Sequence, residues 1–335
     1  MNVTFLIGNG FDLGIGLKTT YLDFYNVYCK TTMEDSWGIK RFKSELQDNY
    51  ENWSDFEAAF GEYASNLYDS RQYLEMFEDF VIKFSDYLKN EEKNFDSSKI
   101  EFIQKSMKKA LVSYYDIRPE DKEQLLRLIG SNKVYFDFVS FNYTRCLDTC
   151  LKILCKQVNY DNQIKGYISN VVHVHGYTED NMIMGVNDIS QIKNSGFSEN
   201  LDVTEEIVKP LQNQVIRMNF DNRATRIIKG SSIICVYGMS IGVTDKKWWK
   251  LIMDWLQENS ARHLIVLQHK EGTRFTFRWN RLVKEVRAKL FLYGNIPEEK
   301  QSDLVSRIHI EFNHDIFAMN LRKQDTDENM QPVKA

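Results

Sequence analysis

The sequence predicts an α/β fold, a doubly wound and mostly parallel sheet of the Rossmann type with a large helical insertion after its first strand. Three observations lead there. Short apolar, β-rich runs recur at 3–7, 134–141, 171–175, 232–237 and 263–268, and most are continuous rather than alternating, as strands covered on both faces are. Helical stretches at 144–156 and 245–258 separate the later runs, giving the strand–helix alternation of a doubly wound sheet. A glycine-rich segment, Gly8-Asn9-Gly10-Phe11-Asp12-Leu13-Gly14, follows the first run, where such folds place a ligand loop.

About a hundred residues separate the first run from the second, far more than one crossover helix needs. Residues 25–130 fill the gap and carry apolar side chains at helical spacing, for example Tyr73, Met76, Phe77, Phe80, Val81, Phe84 and Tyr87. They are expected to form an inserted helical lobe, packed as one unit beside the first two strands, within an α/β domain built from 1–24 and 131–321. Ser54 followed by Glu57 fits a capping box that starts a helix through Phe60 and Tyr63. A late strand is expected at 307–312. The polar segment 322–335, which contains Pro332, is expected to be frayed or disordered.

With 335 residues, 43% of them apolar and only four prolines, the chain has the makings of a sizeable core. Lys plus Arg number 43 against 47 Asp plus Glu, a net charge of −4, which excludes a global positive field and leaves a local basic groove for nucleic acid open. The opening residues lack the basic, long apolar and small-residue pattern of a signal peptide, and no apolar run approaches the roughly 18 residues of a membrane span. A soluble, cytoplasmic protein is expected. Cys29, Cys146, Cys150, Cys155 and Cys235 are odd in number and scattered, which fits reduced thiols; they miss the paired spacing of a zinc ribbon, and no metal is expected.

In the glycine-rich segment the third glycine of a dinucleotide fingerprint would fall at Leu13, one position before Gly14. From spacing alone, a tight turn and a phosphate-binding loop stand level. The segment Asn9-Gly10-Phe11-Asp12-Leu13, followed by Gly16-Leu17, Thr19-Thr20-Tyr21 and Asp23-Phe24, resembles the opening signature of the AbiH abortive-infection family, with Lys18 where a proline is expected. Asn52-Trp53-Ser54-Asp55-Phe56-Glu57 is also similar to that family, although a helix cap followed by a buried aromatic explains it equally. The resemblance implies a bacterial antiphage protein, answering to a phage or defence-system trigger, and by itself gives no reaction.

More remotely, four strand-end motifs resemble a sirtuin-like NAD-binding fold in order: Gly8-Asn9-Gly10, Phe141-Asn142-Tyr143-Thr144, His175-Gly176 and Tyr237-Gly238-Met239-Ser240. Ligands of open α/β sheets bind at the carboxyl ends of strands, where all four fall. The four-cysteine zinc module of sirtuin deacylases is missing, and Thr144 stands where their asparagine segment has an aspartate, which argues against protein deacylation. The resemblance implies NAD as substrate, hydrolysed to nicotinamide and ADP-ribose. His175 would be the base, Asn142 would orient the ribose or water, and Asp12 would supply the acidic group that a cationic sugar transition state calls for. Gly8, Asn9, Gly10, Phe11, Thr20, Asp23, Gly238 and Ser240 would hold the nucleotide.

Blander readings stand beside these. His175 is read equally as a strand-end histidine bonded to a carbonyl, Asn142 as a helix cap, and Asp12 and Asp23 as loop or cap residues. His173 is read as structural, a His-x-His metal pair being the weaker alternative, and Trp248 and Trp249 as packing a helix on the sheet. The rival function is a nucleotide- or nucleic-acid-binding sensor, or a subunit of a defence complex, with Arg281, Lys284 and Arg287 in its interface. A homo-oligomer is expected, because an effector silent in healthy cells needs a switch.

Overall fold

The computed structural model describes residues 1–323 except 31, 131–132, 155–156, 161–163, 217–218, 272 and 274. Cys155 and positions 324–335 of the expected tail lie outside the described residues. The strands are β1 (Asn2–Ile7), β2 (Val134–Ser140), β3 (Gln157–Tyr160), β4 (Ile164–His173), β5 (Ile233–Tyr237), β6 (His263–Gln268) and β7 (Ile308–Phe312). They form one sheet in the order β3-β4-β2-β1-β5-β6-β7, parallel except for β3, which pairs antiparallel with β4 at one edge. Counted in chain order, the six parallel strands run 3-2-1-4-5-6, the Rossmann order. The sequence runs found these six; the short β3 was not foreseen, and β4 begins earlier than its apolar run suggests.

The register sets the height of the strand ends. Ile7 lies opposite both Ser140 and Tyr237, Ser140 opposite His173, and Tyr237 opposite Leu267. Five parallel strands therefore end level, and the loops that follow them share one edge. Chain order reverses at β1, between β2 and β5, which makes that edge a topological switch point.

Both faces of the sheet are covered, which is why the strand runs are continuously apolar. Val3, Phe5 and Ile7 point to one face with Phe136, Phe138 and Cys235, beneath helices Ile100–Ser113, Pro119–Ile129 and Cys146–Leu154. Phe317, Met319 and Leu321 close this core, with Phe317 edge-on to Phe5, Phe11 and Tyr237. Leu6, Ile234, Val236 and Val266 point to the other face, against helices Phe220–Lys229, Lys246–Glu258 and Thr276–Gly294. Trp248 and Trp249 are buried in that second core, packing their helix on the sheet.

A third core belongs to a helical lobe, and the expected segment 25–130 divides between it and the sheet. Residues from Phe24 to Leu88 fill the lobe, with Phe56 stacked on Phe80, whereas helices Ile100–Ser113 and Pro119–Ile129 sit on the sheet. The lobe is completed by a second piece of chain, including Met184, Val186, Phe197, Val203 and Ile207. The anticipated Ser54/Glu57 capping box does not form: Asp55 is the N-cap of helix Phe56–Tyr63 and accepts from the Ala58 amide, which frees Glu57 to turn inward. Arg322, placed at the start of the expected tail, is ion-paired with Glu91 at 2.6 Å on the long lobe helix Ser70–Lys93.

Candidate functional site at the switch point

A cavity of about 600 Å³ lies along the level strand ends and under the lobe, within the usual range for small-molecule sites. Its walls come from the ends of β4 (His175), β2 (Phe141 to Thr144), β1 (Gly8, Asn9, Gly10 and Asp12), β5 (Gly238 to Ile241) and β6 (Gln268 to Lys270). Strands lie about 4.8 Å apart, so the four steps from β4 to β6 span roughly 19 Å. The cavity is an elongated trough rather than a hole. The lobe adds Thr20, Tyr21, Asp55, Glu57 and Phe84, and the helix Thr276–Gly294 adds Glu285 and Lys289.

The glycines at the floor bring two loops together. A side chain on Gly238, where φ is +65°, would stand 2.5 Å from the Cα of Gly10, and one on Gly10 would strike Gly238 in return. Protein carbonyls already take the loop's amides: Gly8 donates to Tyr237, Gly10 to Gly238, Phe11 to Gly8 and Leu13 to Asn9. These glycines thus serve the contact between the loops after β1 and β5. Asn9 lines the trough with its amide clamped to Thr19, donating to the Thr19 carbonyl and accepting from its hydroxyl.

At the head of the trough stand Asp12 and Asn142, delivered by the ends of β1 and β2. Asp12 is 1% exposed and accepts a 2.8 Å hydrogen bond from Thr144 on Oδ2, while its Oδ1 has no partner. Burial is the main force pushing its pKa up to about 7, against the Thr144 hydrogen bond. The buried Asn142 amide likewise leaves Nδ2 unpartnered. It lies close enough to hold the Asp12 pKa down without reaching hydrogen-bond geometry. One buried acceptor and one buried donor thus belong to neighbouring residues that line the trough.

His175 lines the trough beside them, edge-on to Phe141 at 5.6 Å between ring centres. Burial first, and then the charge of Lys209, hold its pKa well below the ordinary histidine value, so the ring is neutral, although a hydrogen bond to the Phe141 backbone works the other way. His173 is committed elsewhere: one ring nitrogen meets the Asn142 carbonyl at 2.9 Å and the other Asp148 at 2.8 Å. With both nitrogens engaged, a His-x-His metal pair would have to break these bonds.

Behind the lobe wall, and joined to it through Glu57, sits a group that sequence reasoning missed. Lys209, 4% exposed, reaches Glu57 at 2.6 Å, and Glu57 also accepts from the Gly185 amide. Burial pushes the Glu57 pKa up to about 7, with Lys209 opposing. Burial alone would lower the Lys209 pKa, but Glu57, Asp245 and Asp55 outweigh it, and Lys209 remains a cation. Asp245, whose pKa burial also raises, lines the trough beside them. Tyr21 and Tyr143 complete this end, where three carboxylates outnumber one lysine. The far end is basic, with His269, Lys270 and Lys289.

Of the expected ligand-holding residues, Gly8, Asn9, Gly10, Thr20, Gly238 and Ser240 line the trough and two do not. Phe11 is fully buried in the sheet core against Phe317, and Asp23 caps helix Tyr21–Tyr28 through a reciprocal pair of hydrogen bonds with Thr20. The rival basic interface loses Arg287, which is half-buried and donates to the Val305 and Ile308 carbonyls. Cys29, Cys146, Cys150 and Cys235 are free thiols. No helix among the described residues is long and apolar enough to cross a membrane.

No curated protein matches the chain. A family model, described as bacteriophage abortive infection AbiH, matches residues 4–267, which include the acidic head of the trough and stop short of its basic end. A match over most of the chain, from within β1 to the penultimate residue of β6 and including both halves of the lobe, settles the assignment: the chain belongs to the AbiH family, and its role lies in abortive infection by bacteriophage.

Proposed function

We propose that the trough binds NAD and hydrolyses it to nicotinamide and ADP-ribose. The observation that carries this reading is the pair of buried, unpartnered polar atoms, Asp12 Oδ1 and Asn142 Nδ2, at the head of a trough on the switch-point edge. Buried polar groups are ordinarily satisfied, and an exception that lines a cavity is a candidate for ligand contact or catalysis. The charge layout supports the same substrate. The pyridinium ring of NAD is cationic and suits the aromatic and carboxylate-rich end, while its pyrophosphate suits Lys270 and Lys289. The choice of reaction takes its direction from the sirtuin-like resemblance of the strand-end motifs.

In this reading Asn142 orients the ribose or the attacking water, and Asp12 does the proton work. A carboxyl with a pKa of about 7 is poised near neutral pH. Water attacks C1′ of the nicotinamide ribose, Asp12 takes its proton, and nicotinamide leaves with the electron pair of the glycosidic bond, which neutralises its ring. The Asp12 carboxylate also faces the positive charge that develops on the sugar. Neutral His175 contributes a hydrogen bond rather than a charge. The base assigned to His175 from sequence is thereby moved to Asp12, because a deeply buried imidazole beside Lys209 is a weak proton acceptor.

The test is NAD consumption and nicotinamide release by the purified protein, with and without phage components. Asp12→Asn and Asn142→Ala are expected to lose about 10²–10⁴-fold in turnover while folding normally. NAD loss at the wild-type rate in Asp12→Asn would reject the mechanism, and absence of NAD binding by the wild type would reject the substrate.

A further inference from the structure

A second groove, of about 500 Å³, lies on the lobe between the long helix Ser70–Lys93 and the helices Leu201–Ile207 and Lys209–Ile216. Met182 and Met184 line it, and Ile82 and Val215 stand exposed at its mouth, 50% and 67% accessible. Flexible methionines beside open aliphatic side chains make a surface that adapts to an inserted apolar group. The rim is of one sign. Glu78, Glu205 and Glu206 line the groove, and none has an ion-pair partner among the described residues. Partial burial, then the neighbouring carboxylates of Glu78 and Asp202, push the Glu206 pKa up, so the negative charges feel one another.

Elsewhere on the same chain is a surface of the opposite character. Phe275 and Phe277 are exposed at the start of helix Thr276–Gly294, stacked on each other with ring centres 5.7 Å apart, and the Arg278 guanidinium lies over Phe275. Phe277, Arg281 and Lys284 fall at i, i+4 and i+7, one face of the helix, and all three are exposed. Arg281 and Lys284 have no ion-pair partner among the described residues. Two solvent-exposed phenyl rings heading a basic stripe are what an acidic, methionine-lined groove would accept.

We propose that a second copy of this chain seats its Phe275–Phe277 knob in the groove and lays the Arg278, Arg281 and Lys284 face against Glu78, Glu205 and Glu206. The two surfaces differ, so the contact is head to tail and every pair leaves one knob and one groove free; assembly continues into a ring or an open filament. Two phenyl rings bury about 150–250 Å² each, which with the basic stripe makes an interface at the small end of the range, so assembly depends on concentration. Screening of the charge pairs weakens it in salt. This contact is independent of what the trough binds.

Sedimentation velocity over a concentration series, in low and in physiological salt, tests the proposal with E205R/E206R, R278E/R281E and a mixture of the two. Wild type is expected to grow beyond a dimer with concentration, and each variant alone to stay monomeric. The equimolar mixture is expected to assemble again beyond a dimer, because the intact knob of one variant meets the intact groove of the other and the two charge reversals complement each other at the remaining contact; that assembly shows that both variants are folded. Monomeric wild type up to its solubility limit would overturn the proposal. So would either variant assembling as wild type does, or a mixture that stays monomeric. If R278E/R281E instead loses binding to a fluorescent single-stranded oligonucleotide while wild type and variant share one mass, the stripe is a nucleic-acid surface and the proposal fails.

Discussion

Replacing Gly238 by Ala tests whether contact between the two loops, rather than access for a phosphate, is what requires glycine. The added methyl group would sit 2.5 Å from Gly10 Cα and 2.8 Å from its nitrogen, both backbone atoms that cannot swing away. Overpacking of this kind costs about 1–3 kcal/mol. Gly238 also has φ of +65°, a left-handed conformation that costs a side-chain-bearing residue about 1–2 kcal/mol more. The sum is about 2–5 kcal/mol. Gly10→Ala incurs the first term alone, about 1–3 kcal/mol. Gly196→Ala is the control, since its methyl group would meet nothing closer than Asn194 Oδ1 at 3.5 Å. Urea unfolding with an unchanged slope reads these differences as shifts in midpoint. The expected order of loss is Gly238, then Gly10, then Gly196; a Gly238→Ala protein within about 0.5 kcal/mol of the Gly196→Ala control would refute the argument.

Asp12→Asn should stabilise the protein at pH 8 and not at pH 4. The folded pKa of about 7 lies above the ordinary 3.8, so the stability associated with the buried acid is present below pH 4 and lost as pH rises toward 7. Three pKa units set a ceiling of about 4 kcal/mol on the gain, and melting curves equal to wild type at pH 8 would contradict it. If Asp12 is the base, wild-type NAD turnover should rise with pH through about 7, and a flat profile would count against that role. Lys209→Met strands the Glu57 and Asp245 carboxylates and should cost about 3–5 kcal/mol, with part recovered in Glu57→Gln/Lys209→Met; an unchanged melting temperature in the single variant would show that the pair is not buried as described. Phe317→Ala opens the core beneath Phe5, Phe11 and Tyr237 and should cost about 3–5 kcal/mol by chemical denaturation, whereas a loss below about 1 kcal/mol would mean the closing segment is loosely held.

The parallel sheet was legible because strands buried on both faces must be apolar throughout, and a run such as Ile233-Ile234-Cys235-Val236 has few other uses. The ends of β1, β2, β4 and β5 were legible for the same reason, so Asp12, Asn142 and Ser240 could be placed on one edge before any contact was known. The lobe's second half was not legible: its helices are short, and Asn200 and Asn194 start two of them with caps that read locally as loop residues. The Glu57–Lys209 pair joins residues 152 positions apart, and neither has a neighbour that announces the other. Ser54 and Glu57 satisfied a capping pattern that Asp55 pre-empted, one residue later. The glycines were legible as glycines; a close approach of backbone to backbone and of backbone to phosphate demand the same residue, and only the position of Gly238 separates them.

The place of β1 at the centre of the sheet has a consequence for how the protein is made. The strand is synthesised before both of its neighbours, which follow at residues 134 and 233. At about 5–20 residues per second, the stretch from Ile7 to Ile233 takes roughly 10–45 s to appear. Until then Val3, Phe5 and Leu6 lack a sheet on one side, and Gly238 does not exist to finish the trough. A nascent chain interrupted before β5 carries Asp12 and Asn142 but no floor loop opposite Gly10 and no basic end. The trough is thus absent from any polypeptide that ends before β5.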